Sequence, residues 1–272
     1  MKTILVATDF SKAANNAVQY AAKLAAQQKA KLILINAFAI PLGGYDSMAP
    51  MESISSIKDY ALKELTKLMN EILNHHKHLE VECSVELGNP VVVITDLALQ
   101  LKPDLIVMGI IGEAGALKKH LIGSSTLRIA RKGTCPVLIV PESCLYHPIH
   151  NITFACDLDK IEEGKLLKSV KHFTKLLDGN LEIITVNKQS PDEKQIETYQ
   201  FIDKKLADIK HKLVSINDDH TSTALEYYFK IHPSDLIIVN PKKHRFFERL
   251  FSESVTNHLA FTVSLPLLVI HS

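Results

Sequence analysis

Three short, strand-like phrases occur twice in this chain, in the same order. Ile4-Leu5-Val6-Ala7-Thr8-Asp9 returns as Ile152-Thr153-Phe154-Ala155-Cys156-Asp157, and Pro103-Asp104-Leu105-Ile106-Val107 returns as Pro233-Ser234-Asp235-Leu236-Ile237-Ile238-Val239. Cys135-Pro136-Val137-Leu138-Ile139-Val140 returns as Leu265-Pro266-Leu267-Leu268-Val269-Ile270. Collinear anchors of this kind mark a duplicated unit. Their offsets are 157 − 9 = 148, 235 − 104 = 131 and 266 − 136 = 130, and the segment Ala39 to Ser53, rich in Pro, Gly and Met, is expected to account for most of the first drop as a long loop or lid. The duplication predicts two domains, 1–142 and 150–272, joined near Pro141 to Pro148.

Within each half, short β-type runs alternate with longer stretches of helical period, the pattern of a parallel sheet with crossover helices. The class is α/β. In the first half strands are expected at about 3–8, 31–37, 80–86, 104–109 and 136–140. Ser11 suits the N-cap of a first helix that carries Ala14, Ala17, Val18, Ala21, Leu24 and Ala25 on one face. Asn89 and Pro90 suit the cap and first position of the third helix.

Composition removes several classes of function. With 31 Lys+Arg against 30 Asp+Glu the net charge is +1, which lacks the basic excess of a nucleic-acid binder. No apolar run approaches the ~20 residues of a membrane helix, and the first strand offers too few apolar residues for a signal core. A cytoplasmic protein is expected, with neither nucleic acid nor membrane as partner. Cys83, Cys135, Cys144 and Cys156 form no Cys-x-x-Cys pair and are expected reduced and mostly buried.

The stretch Met108 to Thr126 carries the most chemistry. It follows a strand, contains Gly109, Gly112, Gly115 and Gly123, and opens a helix near Gly123-Ser124. Glycines let main-chain N–H groups approach phosphate oxygens, and a helix N-terminus favours an anion. Ser124 and Ser125 add hydroxyl donors, and Asp9 ends the first strand at the same sheet edge, where a sugar or base could donate to it. Lys118, Lys119 and His120 either meet phosphates or are solvated.

With Asp104-Leu105-Ile106-Val107-Met108-Gly109, Gly112, Gly123, Ser124 and Asp9 in place, the chain resembles the universal stress protein family in its tandem form. The resemblance implies two Rossmann-like, adenine nucleotide alpha hydrolase-like domains of five mainly parallel strands with helices on both faces. It implies a stress-response regulator that binds an adenine nucleotide, ATP with or without Mg, through Ala7, Thr8, Asp9, Ala37, Met108, Gly109, Gly112, Gly123, Ser124 and Ser125. It also implies self-association, as a homodimer, through the last strand of each domain. One departure stands out: Gly112 and Gly123 are separated by 123 − 112 − 1 = 10 residues, where the family's binding pattern has nine.

The second half lacks the cradle. Asn240 stands where Gly109 would, Pro241-Lys242-Lys243-His244-Arg245 follows, and no glycine lies beyond Gly179. The basic run is expected to be solvated, Asp157 a remnant, and Phe246, Phe247, Leu250 and Phe251 a plug in the vacated pocket. Met48 and Met51 line or cover the first crevice. His75, His76 and His78 are read as a solvated helix end rather than a metal site. No phosphate loop or nucleophile elbow is present, so catalysis is not expected. A nucleotide-independent interaction module, a weak ATPase, and a binder of a small apolar ligand stay as alternatives.

Overall fold

The computed structural model describes residues 1–39, 51–110, 124–133, 135–156, 164–187, 191–241 and 265–271. They fall into two compact units that divide between Tyr146 and His147. In the first, the strands are β1 (Thr3–Ala7), β2 (Lys31–Phe38), β3 (Val81–Leu87), β4 (Leu105–Ile110) and β5 (Val137–Pro141), and the helices are α1 (Lys12–Gln28), α2 (Met51–His75), α3 (Pro90–Leu101) and α4 (Ser124–Lys132). Each expected strand is present within two residues of its expected bounds.

The strands lie in the order β3-β2-β1-β4-β5, and every adjacent pair is parallel. Right-handed crossovers then place α1 and α2 on one face and α3 and α4 on the other. β1 is central and Ile4, Leu5 and Val6 are fully buried, as an all-parallel strand covered on both faces requires. Each such side chain contributes roughly 1.5–3 kcal/mol through burial. Between β1 and β4 the strand order reverses, which opens a crevice at the carboxyl edge of the sheet.

α1 starts where its cap chemistry directs. Ser11 Oγ accepts from the Ala14 N–H at 3.2 Å, and Ala13, Ala14, Ala17, Val18, Ala21, Leu24 and Ala25 face inward. The small residues of that face let the helix axis come close to the sheet. Asn89 likewise caps α3 by accepting from Val91 N–H at 3.0 Å, with Pro90 in the first turn.

The second unit contains β6 (Asn151–Ala155), β7 (Asn180–Asn187), β8 (His211–Asn217), β9 (Leu236–Val239) and β10 (Leu267–Val269), with α5 (Gly164–Leu177), α6 (Glu193–Leu206) and α7 (Thr221–Ile231). Its order, β8-β7-β6-β9-β10, is the first unit's order repeated, again with parallel pairs throughout. A carboxylate makes the repeat exact in detail. Asp104 Oδ2 accepts from the N–H groups of Lys2 and Thr3 at 2.6 and 2.9 Å, and Asp235 Oδ2 accepts from those of His150 and Asn151 at 2.9 and 2.8 Å.

One expectation needs correction. The loop or lid expected over Ala39 to Ser53 does not reach Ser53, because α2 already begins at Met51; residues 40–50 of that expected loop lie outside the described residues. Most of the length difference between the halves lies in helix instead: α2 has 25 residues where α6 has 14. The segment read as a loop for its Pro, Gly and Met runs on to Ser53, while the helical stripe through Ala61, Leu65, Leu68 and Ile72 is buried and draws the chain from Met51 onward into the helix.

The stretch after β5 docks on α1. Asn16 Nδ2 donates to the carbonyls of Pro141 and Cys144, both at 2.8 Å, the Tyr146 ring meets Tyr20 edge-on at 4.9 Å, and the Tyr146 hydroxyl donates to Gln27. All four cysteines are free thiols, Cys135, Cys144 and Cys156 buried and Cys83 half-buried. No helix among the described residues is long and apolar enough to cross a membrane.

Candidate functional site

The carboxyl ends of β1, β2 and β4 form the candidate site. In register, Ala7 lies beside Met108 on one side and beside Ile35 on the other, with Ala37 two residues further along β2. Ala7 and Met108 are buried, Ala37 is half-buried, and Asp9 is exposed.

The turn from β1 into α1 is held by a series of hydrogen bonds. Thr8 N–H donates to the Ile35 carbonyl at 2.9 Å, and buried Asn36 donates from Nδ2 to the Thr8 carbonyl at 2.8 Å. Thr8 Oγ1 accepts from Phe10 N–H at 3.0 Å, and Asp9 Oδ1 accepts from Ser11 N–H at 3.0 Å. Asn15 Nδ2 donates to the Phe10 carbonyl at 3.3 Å. Phe10 itself has φ 64°, in the left-handed region that bulky residues rarely adopt. Asp9 is therefore presented at a fixed place, with Oδ1 used in the turn and no hydrogen bond to Oδ2 among the described residues.

At the end of β4, Gly109 has a packing duty. A Cβ built on it would stand 2.4 Å from the Ala13 carbonyl oxygen and 2.7 Å from Ala14 N. The side of Gly109 that lacks a side chain is turned to α1, so close helix packing suffices to demand glycine there. Its carbonyl accepts from Thr126 Oγ1 at 3.1 Å, which ties the first turn of α4 to the end of β4. Ser125, half-buried, precedes that tie.

Ala7, Thr8, Asp9, Ala37, Met108, Gly109 and Ser125 thus gather at one sheet edge. Gly112 and Gly123 lie outside the described residues, as does the side chain of Ser124. Lys118, Lys119, His120, Met48 and the side chain of Met51 are outside them too. Asn36, Phe10 and Thr126 escaped the sequence reading. A polar residue amid β2 was the one available sign for Asn36, and nothing in a Phe announces a left-handed backbone.

In the second unit, Cys156 N–H donates to the Ile184 carbonyl at 3.0 Å, the counterpart of the Thr8 bond. Asn240 is fully buried at the position matching Gly109. Asp157, Lys242 to Arg245, Phe246, Phe247, Leu250 and Phe251 lie outside the described residues. His75, His76 and His78 sit at the opposite, amino edge of the first sheet. There they line a cleft of about 630 Å³ with Lys29, Lys31 and Lys77. Among the described residues no three His, Cys, Asp or Glu side chains are placed to hold a metal ion.

Comparison with known proteins follows the same division of the chain. Residues 1–141 match the model of the universal stress protein family. A universal stress protein of Methanocaldococcus jannaschii is 32% identical over 146 residues, 51% of this chain and 81% of that protein. One of Staphylococcus haemolyticus is 32% identical over 141 residues, 51% of this chain and 84% of that protein. Among solved structures, a universal stress protein from Archaeoglobus fulgidus covers 99% of this chain and 96% of its own at a TM-score of 0.68 and 15% identity. Another, from Pseudomonas aeruginosa, covers 100% of this chain and 93% of its own at a TM-score of 0.58 and 14% identity. At such identities the structural likeness speaks for the fold.

Proposed function

The chain belongs to the universal stress protein family, and from that premise we propose that its first half binds an adenine nucleotide, ATP with or without Mg, at the carboxyl edge between β1 and β4. The observation that carries the proposal is Asp9, exposed beside the switch point and held there by the bonds of the β1–α1 turn. Its carboxylate accepts from the sugar, the base lies towards Ala37, and the phosphates meet the main chain from Gly109 through Gly112 and Gly123 to Ser124 and Ser125. The second half, without a glycine cradle, is a ligand-poor partner of the same fold. The domains are 1–142 and 150–272. Binding regulates conformation or association, including homodimers formed through the last strands, rather than feeding a reaction. The site of action is the cytoplasm.

One observation favours a second reading, a nucleotide-independent interaction module. Gly109 is fully explained by the approach of α1, so its presence supports no ligand by itself. Isothermal titration with Mg-ATP decides between the two. Saturable heat that is weakened by Asp9→Ala and abolished by Gly123→Val, with Asp157→Ala unchanged, supports the nucleotide site. A folded protein that gives no heat at millimolar ATP overturns it. Phosphate release measured in the same samples tests for a weak ATPase, and mass spectrometry of ligand released from purified protein tests for a small apolar ligand.

A further inference from the structure

α2 is much longer than the strand it feeds. Its 25 residues span about 37 Å, whereas the seven residues of β3 span about 23 Å. In the other half the 14 residues of α6 span about 21 Å beside about 23 Å for the seven of β8, so helix and strand match there. The surplus of about 14 Å in the first half belongs to one end. At the C-terminal end of α2 the short connection 76–80 leads directly into β3, and the Glu80 carbonyl already accepts from Leu32 N–H at 2.8 Å. That end is level with the amino edge of the sheet. The first turns of α2 therefore rise above the carboxyl edge, where β1 ends at Ala7, Thr8 and Asp9 follow it, and Ala37 lies one residue before the end of β2.

Burial follows the same line. Residues 55–60 are exposed all round, whereas Ala61, Leu65, Leu68 and Ile72 below them are buried. At the junction stands Tyr60, with its ring edge-to-face against Phe10 at 6.5 Å and 81°. Phe10 directly follows Asp9 and makes this contact from a left-handed backbone, φ 64°. Strained backbone held by surrounding hydrogen bonds concentrates at ligand sites. Tyr60 remains 61% exposed, and Ile57, three residues earlier on the same stripe, is 41% exposed. An aromatic ring braced by the residue that follows Asp9 and otherwise exposed is the kind of surface on which a planar base stacks.

We infer that Tyr60, braced by Phe10, determines the ligand's base: its ring stacks on the heterocycle of a nucleotide whose sugar reaches Asp9. The inference rests on the nucleotide-binding reading above. It also separates the two halves, because α6, at 14 residues, lacks the length by which α2 exceeds its strand.

Titration calorimetry on the full chain tests it, with ATP and base-free ribose 5-triphosphate as probes on wild type, Tyr60→Ala and Tyr60→Phe. Tyr60→Ala is expected to weaken ATP about tenfold and to shrink the preference for ATP over ribose triphosphate by the same factor. Tyr60→Phe keeps the ring and is expected to keep both. Because Tyr60 is exposed, the variants should retain the wild-type melting temperature, which circular dichroism checks. Unchanged ATP affinity in Tyr60→Ala, or equal losses in the Ala and Phe variants, overturns the role of the ring. Absence of ATP binding already in the wild type overturns the nucleotide reading itself, so the two failures are told apart.

Discussion

Gly109 lies directly beneath Ala13: a Cβ at 109 would stand 2.4 Å from the Ala13 carbonyl oxygen and 2.5 Å from its carbon. Both obstacles are main chain of α1, so no side-chain rotation could relieve the overlap. The same glycine lies one residue before the end of β4, so the packing of α1 and the border of the candidate crevice share one residue.

Gly109→Ala is accordingly expected to destabilise the first unit by about 1–3 kcal/mol, because α1 must shift bodily. Urea unfolding with the far-ultraviolet signal measures this. An alanine variant of wild-type stability would mean that α1 yields freely and that close packing does not require glycine there.

The carboxylates Asp104 and Asp235 close their respective halves in the same way, each bonding two N–H groups at the entry to a central strand. Their surroundings differ: Asp104 is exposed, while the Asp235 side chain is only 18% exposed. Hydrogen bonds to charged groups contribute more where water competes less, so Asp235→Ala should cost about 2 kcal/mol and Asp104→Ala about 1 kcal/mol. Denaturant midpoints of the two variants give the comparison, and a larger loss at Asp104 would contradict the weight placed on burial.

Asn16 holds the chain after β5 through the carbonyls of Pro141 and Cys144. Asn16→Ala removes both bonds, at a cost of about 1–2 kcal/mol, and loosens the stretch that carries Leu145, which is 74% exposed. Chymotrypsin should then cut after Leu145 or Tyr146 faster than in the wild type. Equal cleavage rates would show that the contacts of Tyr146 with Tyr20 and Gln27 hold the stretch without Asn16.

Burial, aided by the nearby Asp104 charge, pushes the Cys135 thiol up to about 12, and burial pushes Cys144 up to about 11. Both folded-state values lie above the ordinary thiol value of 9.0. The unfolded chain therefore loses these protons first as pH rises. Their contribution to stability is complete below about pH 9 and declines from there towards about pH 12. Urea midpoints taken at pH 7 and pH 10 should fall, and fall less in Cys135→Ala. At pH 8 a disulfide-exchange reagent should leave Cys135 and Cys144 untouched until denaturant is added; rapid labelling of the native protein at either thiol would refute their enclosure.

Much of the architecture was legible in the chain because it rests on local rules. Ser11 and Asn89 cap helices through bonds to N–H groups two or three residues away, and the alanine stripe of α1 has a helical period whatever lies beneath it. Repetition of Asp104 as Asp235 showed that two units share one plan. Alternation of strands and helices implies a crevice wherever strand order reverses at the carboxyl edge; that the reversal lies between β1 and β4 is seen in the folded sheet.

The tertiary structure decided what depends on distance between remote segments. A glycine after a strand reads equally well as a phosphate contact or as room for a helix, and only the position of Ala13 shows that the second applies to Gly109. The start of α2 has the composition of a loop, yet the buried stripe of its later turns extends the helix past the sheet edge and brings Tyr60 against Phe10. Asn36 and Phe10 carry no local signature, since one acts through a carbonyl 28 residues away and the other through a backbone angle its side chain disfavours. Short-range hydrogen bonding and periodic burial are written in neighbouring residues; close packing is a property of pairs that meet only after the chain has folded.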